Sequence, residues 1–229
     1  MTKQSFTNPY NVVIVFCLFL FYFLGTATIL YAQIHIANAH IANAHFWSDP
    51  CAGQPIGGTC TDGAIYAGTG YSAGGLNPAL RYMVTPGGCT DEICTGAGGT
   101  DSVTKTWANN SGTTAYGVIT GAEDLNNGKL NTAILVNYSP FYTDTDAAHW
   151  CSNMNYGGYK GWYLPSLDEL TTVLYANKAA LGGFAAAIYL SSGEHTNNAF
   201  FIDYFTFNSG TGGSDLKTAS HYVRCIRSY

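Results

Sequence analysis

The side chains best suited to nucleophilic catalysis lie in one short segment near the C-terminus. Ser191 and Ser192 precede Glu194 and His195, so hydroxyl, carboxyl and imidazole groups are close in sequence. They are sequence neighbours only, and no G-x-S-x-G turn is present to expose a nucleophilic serine. A polar strand end and loop explains them equally well, so we expect a protein that is not an enzyme. We assign this region instead to ligand binding, with the candidate residues Ser191, Glu194, His195, Asn197, Asp203 and Tyr204.

An oxygen-rich segment is the second candidate site. Glu123 to Gly128 reads EDLNNG, and Asn131 follows three residues later. Oxygen ligands of Asp124, Asn126 and Asn131 would suit calcium. The spacing departs from the EF-hand pattern D-x-[DN]-x-[DN]-G, and a plain Asx-rich turn is the alternative. Calcium is therefore the one candidate cofactor, and no other is expected.

Seven cysteines are present, of which Cys17 lies in an apolar N-terminal segment. The other six allow fifteen pairings, and they are Cys51, Cys60, Cys89, Cys94, Cys151 and Cys225. Their spacing favours two local bridges, Cys51–Cys60 and Cys89–Cys94, which leaves Cys151 with Cys225. Free buried thiols or a zinc site are the alternatives, but no C-x-x-C pair occurs. Disulfides of this kind are typical of exported proteins.

The N-terminus predicts export. Val12 to Leu24 reads VVIVFCLFLFYFL after a single Lys3, as in a secretory signal whose cleavage would follow Ala27 or Ala32. An uncleaved membrane anchor is the alternative, because the apolar stretch continues to Ala32 and could span a bilayer. We therefore expect residues 1–32 to be a signal peptide or anchor and the protein to be extracellular or at the cell surface. The only predicted membrane contact is this segment, if it is retained.

Residues 33–48 form a predicted spacer that contains two copies of Ile-Ala-Asn-Ala-His. His35, His40 and His45 recur every five residues, a spacing that does not bring them together on one face of a helix. The remaining residues, 49–229, are expected to form a single exported domain.

The composition excludes several classes of protein. Only 10% of the residues are charged and the net charge is -5, so a nucleic-acid partner is not expected. The apolar fraction of 47% is too high for a disordered chain and predicts a packed core.

The pattern of the exported part predicts an α+β domain with small antiparallel sheets and two helices. Short strands are expected at 64–67, 80–84, 188–192, 199–207 and 221–227, with polar turns at 193–198 and 208–214. One helix is expected over 146–153, with Asp146 as its N-cap. A second follows Pro165, where Ser166 and Glu169 form a capping box before an amphipathic run that ends near Gly182.

Three segments together resemble an exported bacterial family, the domain of unknown function 1566. They are GGYKGWYLPS with Glu169-Leu170, then YLSSGE from Tyr189, then VRCIR from Val223. The likeness covers about residues 107–229 and includes Thr120-Gly121 with Asn131-Thr132. Leu190 departs from the family pattern, which has Trp at that position. The resemblance implies a C-type-lectin-like fold and a Cys151–Cys225 disulfide.

The resemblance also implies a function, because relatives in this family include the C-terminal domains of collagen-like adhesins that bind sulfated glycosaminoglycans. With eight basic and fourteen acidic residues after Ala32, this chain does not match that ligand well. One hypothesis is a local basic patch formed by Lys160, Lys217, Arg224 and Arg227. Arg224 and Arg227 could equally be structural. We expect a binding or adhesion module for glycans or protein surfaces. The alternative is a structural subunit of an extracellular filament, with self-association as a trimer or polymer.

Overall fold

The computed structural model describes residues 49–70, 75–108, 117–138 and 147–229. The chain divides into two units, Met1–Asp49 and Pro50–Tyr229, and every element named below lies in the second. The predicted export segment 1–32 and the spacer 33–48 lie outside the described residues. Within the four described ranges, no helix is both long enough and apolar enough to cross a membrane.

The domain alternates short strands with short helices. In chain order the elements are β1 (Ile65–Thr69), β2 (Arg81–Val84), β3 (Thr104–Thr106), α1 (Gly128–Tyr138), α2 (Ala147–Asn153), a π-helix (Glu169–Tyr175), α3 (Lys178–Leu181), β4 (Ile188–Glu194), β5 (Phe201–Thr206), β6 (Thr211–Leu216), β7 (Ser220–Tyr222) and β8 (Ile226–Ser228). The predicted α+β class is confirmed. The expected two helices become four helical segments among the described residues.

The strands form two sheets. The smaller sheet has the order β1-β2-β8 and is antiparallel throughout. The larger sheet has the order β3-β7-β4-β5-β6, and its one parallel pairing joins β4 to β7. The segment 221–227, expected to be one strand, is instead divided between the two sheets. Arg224 and Cys225 lie between β7 and β8, and both side chains are anchored elsewhere in the core.

Strand β6 corrects the predicted turn at 208–214. All six of its residues pair with β5, from Phe201 opposite Leu216 to Thr206 opposite Thr211. Gly212 and Gly213 have low strand propensity, so the sequence pattern did not reveal this edge strand. The true turn is shorter and uses Gly210 at a φ of 73°.

Helix α1 was not expected, because its first residues resemble a turn. The Asn127 side chain provides the N-cap, and its Oδ1 accepts the Leu130 backbone N–H at 3.0 Å. Helix α2 confirms the helix expected over 146–153, although its predicted N-cap Asp146 lies outside the described residues.

The capping box after Pro165 is confirmed. The Ser166 N–H donates to Glu169 Oε2 at 2.8 Å, and the Glu169 N–H donates to Ser166 Oγ at 3.3 Å. The helix that follows is π-helical rather than α-helical, and it buries Leu170 and its apolar neighbours as expected. The Thr171 and Thr172 hydroxyls both donate to the Asp168 carbonyl. These side-chain bonds compete with a backbone N–H for that carbonyl and favour the wider π-helical turn.

The three favoured disulfides are confirmed: Cys51–Cys60, Cys89–Cys94 and Cys151–Cys225. The first and third lie in one hydrophobic cluster with Trp107, Trp150 and Trp162. A second cluster packs the π-helix against β2, β4 and β5. These two clusters fix the backbone that carries the site described next.

Candidate functional site

The six predicted ligand-binding residues lie along the β4–β5 hairpin but do not share one accessible surface. Ser191 is fully buried, and its hydroxyl donates to the Asp203 carbonyl at 2.7 Å. His195 Nδ1 lies 2.8 Å from Asp203 Oδ1, with the imidazole 38% exposed. Asn197 is exposed in the hairpin turn, and Tyr204 is half-buried beside His221. Burial therefore argues against direct ligand contact for Ser191, as it does for Glu194.

Glu194 forms a fully buried ion pair with Lys217. Its second oxygen, Oε2, accepts the Thr120 N–H at 2.7 Å, the Thr120 hydroxyl at 2.9 Å and the Gly121 N–H at 3.3 Å. The Lys217 ammonium also donates to the Val118 carbonyl at 2.9 Å. Burial lowers the pKa of the lysine, and the glutamate opposes that shift. This pair holds the loop before α1 against the large sheet.

The hypothesis of a basic patch is wrong, because three of its four members are buried. Each is paired with a carboxylate: Lys217 with Glu194, Arg224 with Asp101, and Arg227 with Asp62. Only Lys160 is exposed. These cations are therefore part of the folded core and do not form a surface for anions.

The three predicted calcium ligands are separated by the start of α1. Asn131 is fully buried, its Oδ1 accepts the Asp124 N–H, and its Nδ2 donates to the Asp124 carbonyl and to Ser192 Oγ. Both ends of this amide are therefore engaged by the protein. Among the described residues, no cluster of three His, Cys, Asp or Glu could hold a metal ion. Asp124 and Asn126 instead reach the rim of a pocket.

The floor of that pocket is the carboxyl group of Glu169, which is 2% exposed. Its Oε2 accepts the N–H groups of Ser166 and Gly128, and its Oε1 accepts the Tyr163 hydroxyl at 3.0 Å. Burial and the nearby Glu169 carboxyl group raise the pKa of the Tyr82 hydroxyl. A glycine is needed at 128, because a Cβ atom would lie 2.5 Å from both the Leu164 carbonyl oxygen and the Ser166 backbone nitrogen.

The pocket has a volume of about 570 Å³, within the usual range for small-molecule sites. It is lined by Gly75, Asn77, Leu80, Tyr82, Asp124, Asn126, Asn127, Lys129, Tyr163, Glu169, Ser228 and Tyr229. These residues come from the loop before β2, the start of α1, the segment before the π-helix and the end of β8. Strand β2, which carries Tyr82, and strand β8 are paired, so the walls are held at a fixed separation.

Sequence reasoning missed most of this site. Glu169 was identified as a helix cap, which is correct, but its place on a pocket floor was not foreseen. The turn signals Asn77-Pro78 and Asn126-Asn127-Gly128 were available, and both turns supply lining residues. Nothing in the linear pattern indicated that Tyr82 and Tyr163 meet at one carboxyl group.

The titration of Glu169 gives a prediction for stability. Burial raises its pKa from 4.5 to about 7, and hydrogen bonds from Ser166, Tyr163 and Gly128 oppose the rise. Between these two values the folded protein binds more protons at Glu169 than the unfolded chain does. The stability from this group is therefore fully present below pH 4.5 and is lost as the pH rises through about 7.

As the pH rises from 4.5 through about 7, we expect the free energy of unfolding of the wild-type protein to fall by about 3 kcal/mol relative to that of Glu169→Gln. This follows from about 1.4 kcal/mol per pKa unit. Urea denaturation of both proteins from about pH 4 to about pH 8 measures the difference. Parallel pH profiles for the two proteins would contradict a raised pKa.

The model of the Lcl C-terminal domain family matches residues 94–227, which include the π-helix, the large sheet and half of the pocket residues. This description differs from the family of unknown function to which the motifs pointed, and that finer identification stays a prediction. No curated protein matches the chain. The match covers more than half of the sequence, and the chain belongs to the Lcl C-terminal domain family.

Proposed function

We propose that this protein is a secreted or cell-surface adhesion module that recognises glycans or protein surfaces without catalysis. The family and the three disulfides indicate an extracellular or surface protein. The finer interpretation of the fold as C-type-lectin-like is part of the same proposal. The observation that supports a binding role most directly is the pocket above Glu169.

The pocket combines rigid and adaptable parts. Tyr82 and Tyr163 are held by the core, whereas Tyr229 at the rim is 40% exposed. An exposed tyrosine offers apolar area and a hydroxyl group at a low entropic cost, which suits recognition. Asparagine and serine side chains supply hydrogen-bonding groups beside it. Such a mixture is typical of binding sites for polar ligands.

The proposal is tested with a panel of glycans and surface proteins and a matched pair of tyrosine variants. Tyr229→Ala removes an exposed ring from the pocket, and we expect it to weaken binding about tenfold, a loss of about 1.4 kcal/mol. Tyr138→Ala removes a similarly exposed ring, 42% accessible, from the end of α1 outside the pocket lining. We expect it to change affinity less than about twofold, as for peripheral contacts.

Two results would count against the proposal. If the wild-type protein binds nothing on either panel, the adhesion role fails. If Tyr229→Ala binds as tightly as wild type, the pocket is not the binding site. The alternative role as a filament subunit stays a prediction, and the sedimentation mass of the exported protein tests it.

A further inference from the structure

We infer that the pocket above Glu169 binds the uncharged, hydroxyl-bearing end of a glycan and rejects sulfated and uronate sugars. This inference rests on the proposed function and specifies the ligand of the same site. Three features of the pocket support it: paired donors and acceptors on the rim, a concentration of carboxyl groups, and an apolar and aromatic wall.

The rim supplies amide donors whose oxygens are already engaged. Asn127 Oδ1 caps helix α1, and Asn77 Oδ1 accepts the Ala79 N–H at 2.9 Å. These bonds fix both side chains and leave their Nδ2 groups as donors for a ligand. Both residues line the pocket, and they come from segments far apart in the chain.

Asp124 supplies the complementary acceptor. Its Oδ1 accepts the Asn126 N–H at 2.8 Å, which orients the carboxylate at the rim. A sugar hydroxyl donates one hydrogen bond and accepts others, so it can bridge an amide donor and a carboxylate acceptor. These rim groups are exposed or half-buried and are hydrated in the free protein. A ligand without a matching hydroxyl would displace that water without replacing its hydrogen bonds, which weakens binding.

The charges around the pocket disfavour an anion. Asp124 and Glu169 line it, and burial together with proximity to Asp124 raises the pKa of Asp168, so a third carboxyl group is close. Lys129 is the single cation in the lining. A sulfate or carboxylate placed in this pocket would face the Asp124 carboxylate at short range, and the repulsion would grow as Glu169 loses its proton near pH 7. The buried cations Lys217, Arg224 and Arg227 are committed to their own partners and are not part of the lining.

The remaining wall suits the ring of a sugar. Leu80 and the exposed Tyr229 lie in the lining beside the polar rim. An aromatic side chain combines an apolar face with a polar tip, so it can cover the C–H face of a pyranose while its hydroxyl group stays hydrated. A protein ligand would need a broader contact than one pocket of this size.

The test compares neutral oligosaccharides with sulfated and uronate forms of the same backbone by titration calorimetry. We expect the neutral forms to bind at least about tenfold more tightly, a difference of about 1.4 kcal/mol. Asp124→Asn keeps an oxygen for the Asn126 N–H but replaces the free carboxylate oxygen by an amide, so neutral sugars should bind about tenfold more weakly. Asp215→Asn, at the edge strand β6 and outside the pocket lining, is the matched control and should leave binding unchanged.

The outcomes separate this inference from the proposed function. Tighter binding of sulfated than of neutral forms overturns the ligand class, although adhesion itself would stand. Equal effects of the two aspartate variants would also overturn the inference, because the neutral sugar would then bind elsewhere. If no glycan binds but a surface protein does, the sugar is rejected as the ligand and the adhesion role stands. Circular dichroism of both variants establishes that each is folded.

Discussion

Replacement of Lys217 by methionine is expected to lower the free energy of unfolding by about 3 to 5 kcal/mol. Both members of the Lys217–Glu194 pair are fully buried, so the variant would leave a carboxylate without its cation inside the protein. Its Oε2 would keep the hydrogen bonds from Thr120 and Gly121, but Oε1 would lose its charged partner. The loss is large because a buried ion is costly once its partner is removed.

Urea denaturation under oxidising conditions measures this loss, with Lys129→Met as the control. Lys129 is exposed, and we expect its replacement to change stability by less than about 0.5 kcal/mol. A loss below about 1 kcal/mol for Lys217→Met would mean that the pair resembles an exposed salt bridge.

Removal of the Cys151–Cys225 disulfide by a double alanine substitution is expected to cost about 4 kcal/mol. The bridge joins residues 74 apart in sequence, and a long closed loop restricts the unfolded chain strongly. It also fixes the point at which the chain passes from the large sheet to the small one. The same double substitution at Cys51 and Cys60, 9 residues apart, should cost about 3 kcal/mol.

The two double variants are well matched because all four cysteines are almost completely buried. The cavities left by the alanine substitutions should therefore cost similar amounts of stability. The difference between the two stability losses then reflects the difference in loop length. Chemical denaturation of both variants against wild type measures it. A smaller loss for Cys151 and Cys225 than for Cys51 and Cys60 would contradict the loop argument.

Local signals were sufficient for much of the fold. The capping box at Ser166 and Glu169, the strands around Tyr82 and Tyr189, and the three cysteine pairs all depend on nearby residues or on loop length. Helix α1 and strand β6 were missed because Asn126-Asn127-Gly128 and Gly212-Gly213 resemble turns. Tertiary pairing with β5 stabilises β6 despite its weak propensity.

The candidate site was harder to predict from the sequence than the fold was, for a physical reason. Its lining comes from four segments that are far apart in the chain and converge only through the packing of β2, β8 and the two helix starts. Burial is likewise invisible in the linear pattern. Lys217 follows Asp215 and Leu216 in a polar segment, yet it is enclosed beside the Trp107 ring, 4.7 Å from its centroid.

The long-range disulfide also has a mechanical consequence for a protein held at a surface. Tension applied between the two ends of the chain cannot extend the segment between Cys151 and Cys225 while the bridge is intact. Those 74 residues would otherwise add about 250 Å of length, at roughly 3.3 to 3.6 Å per residue. The π-helix and the β4–β5 hairpin lie inside this protected loop. Strand β8 lies outside it and pairs with β2, so the C-terminal end cannot be drawn out until that pairing breaks.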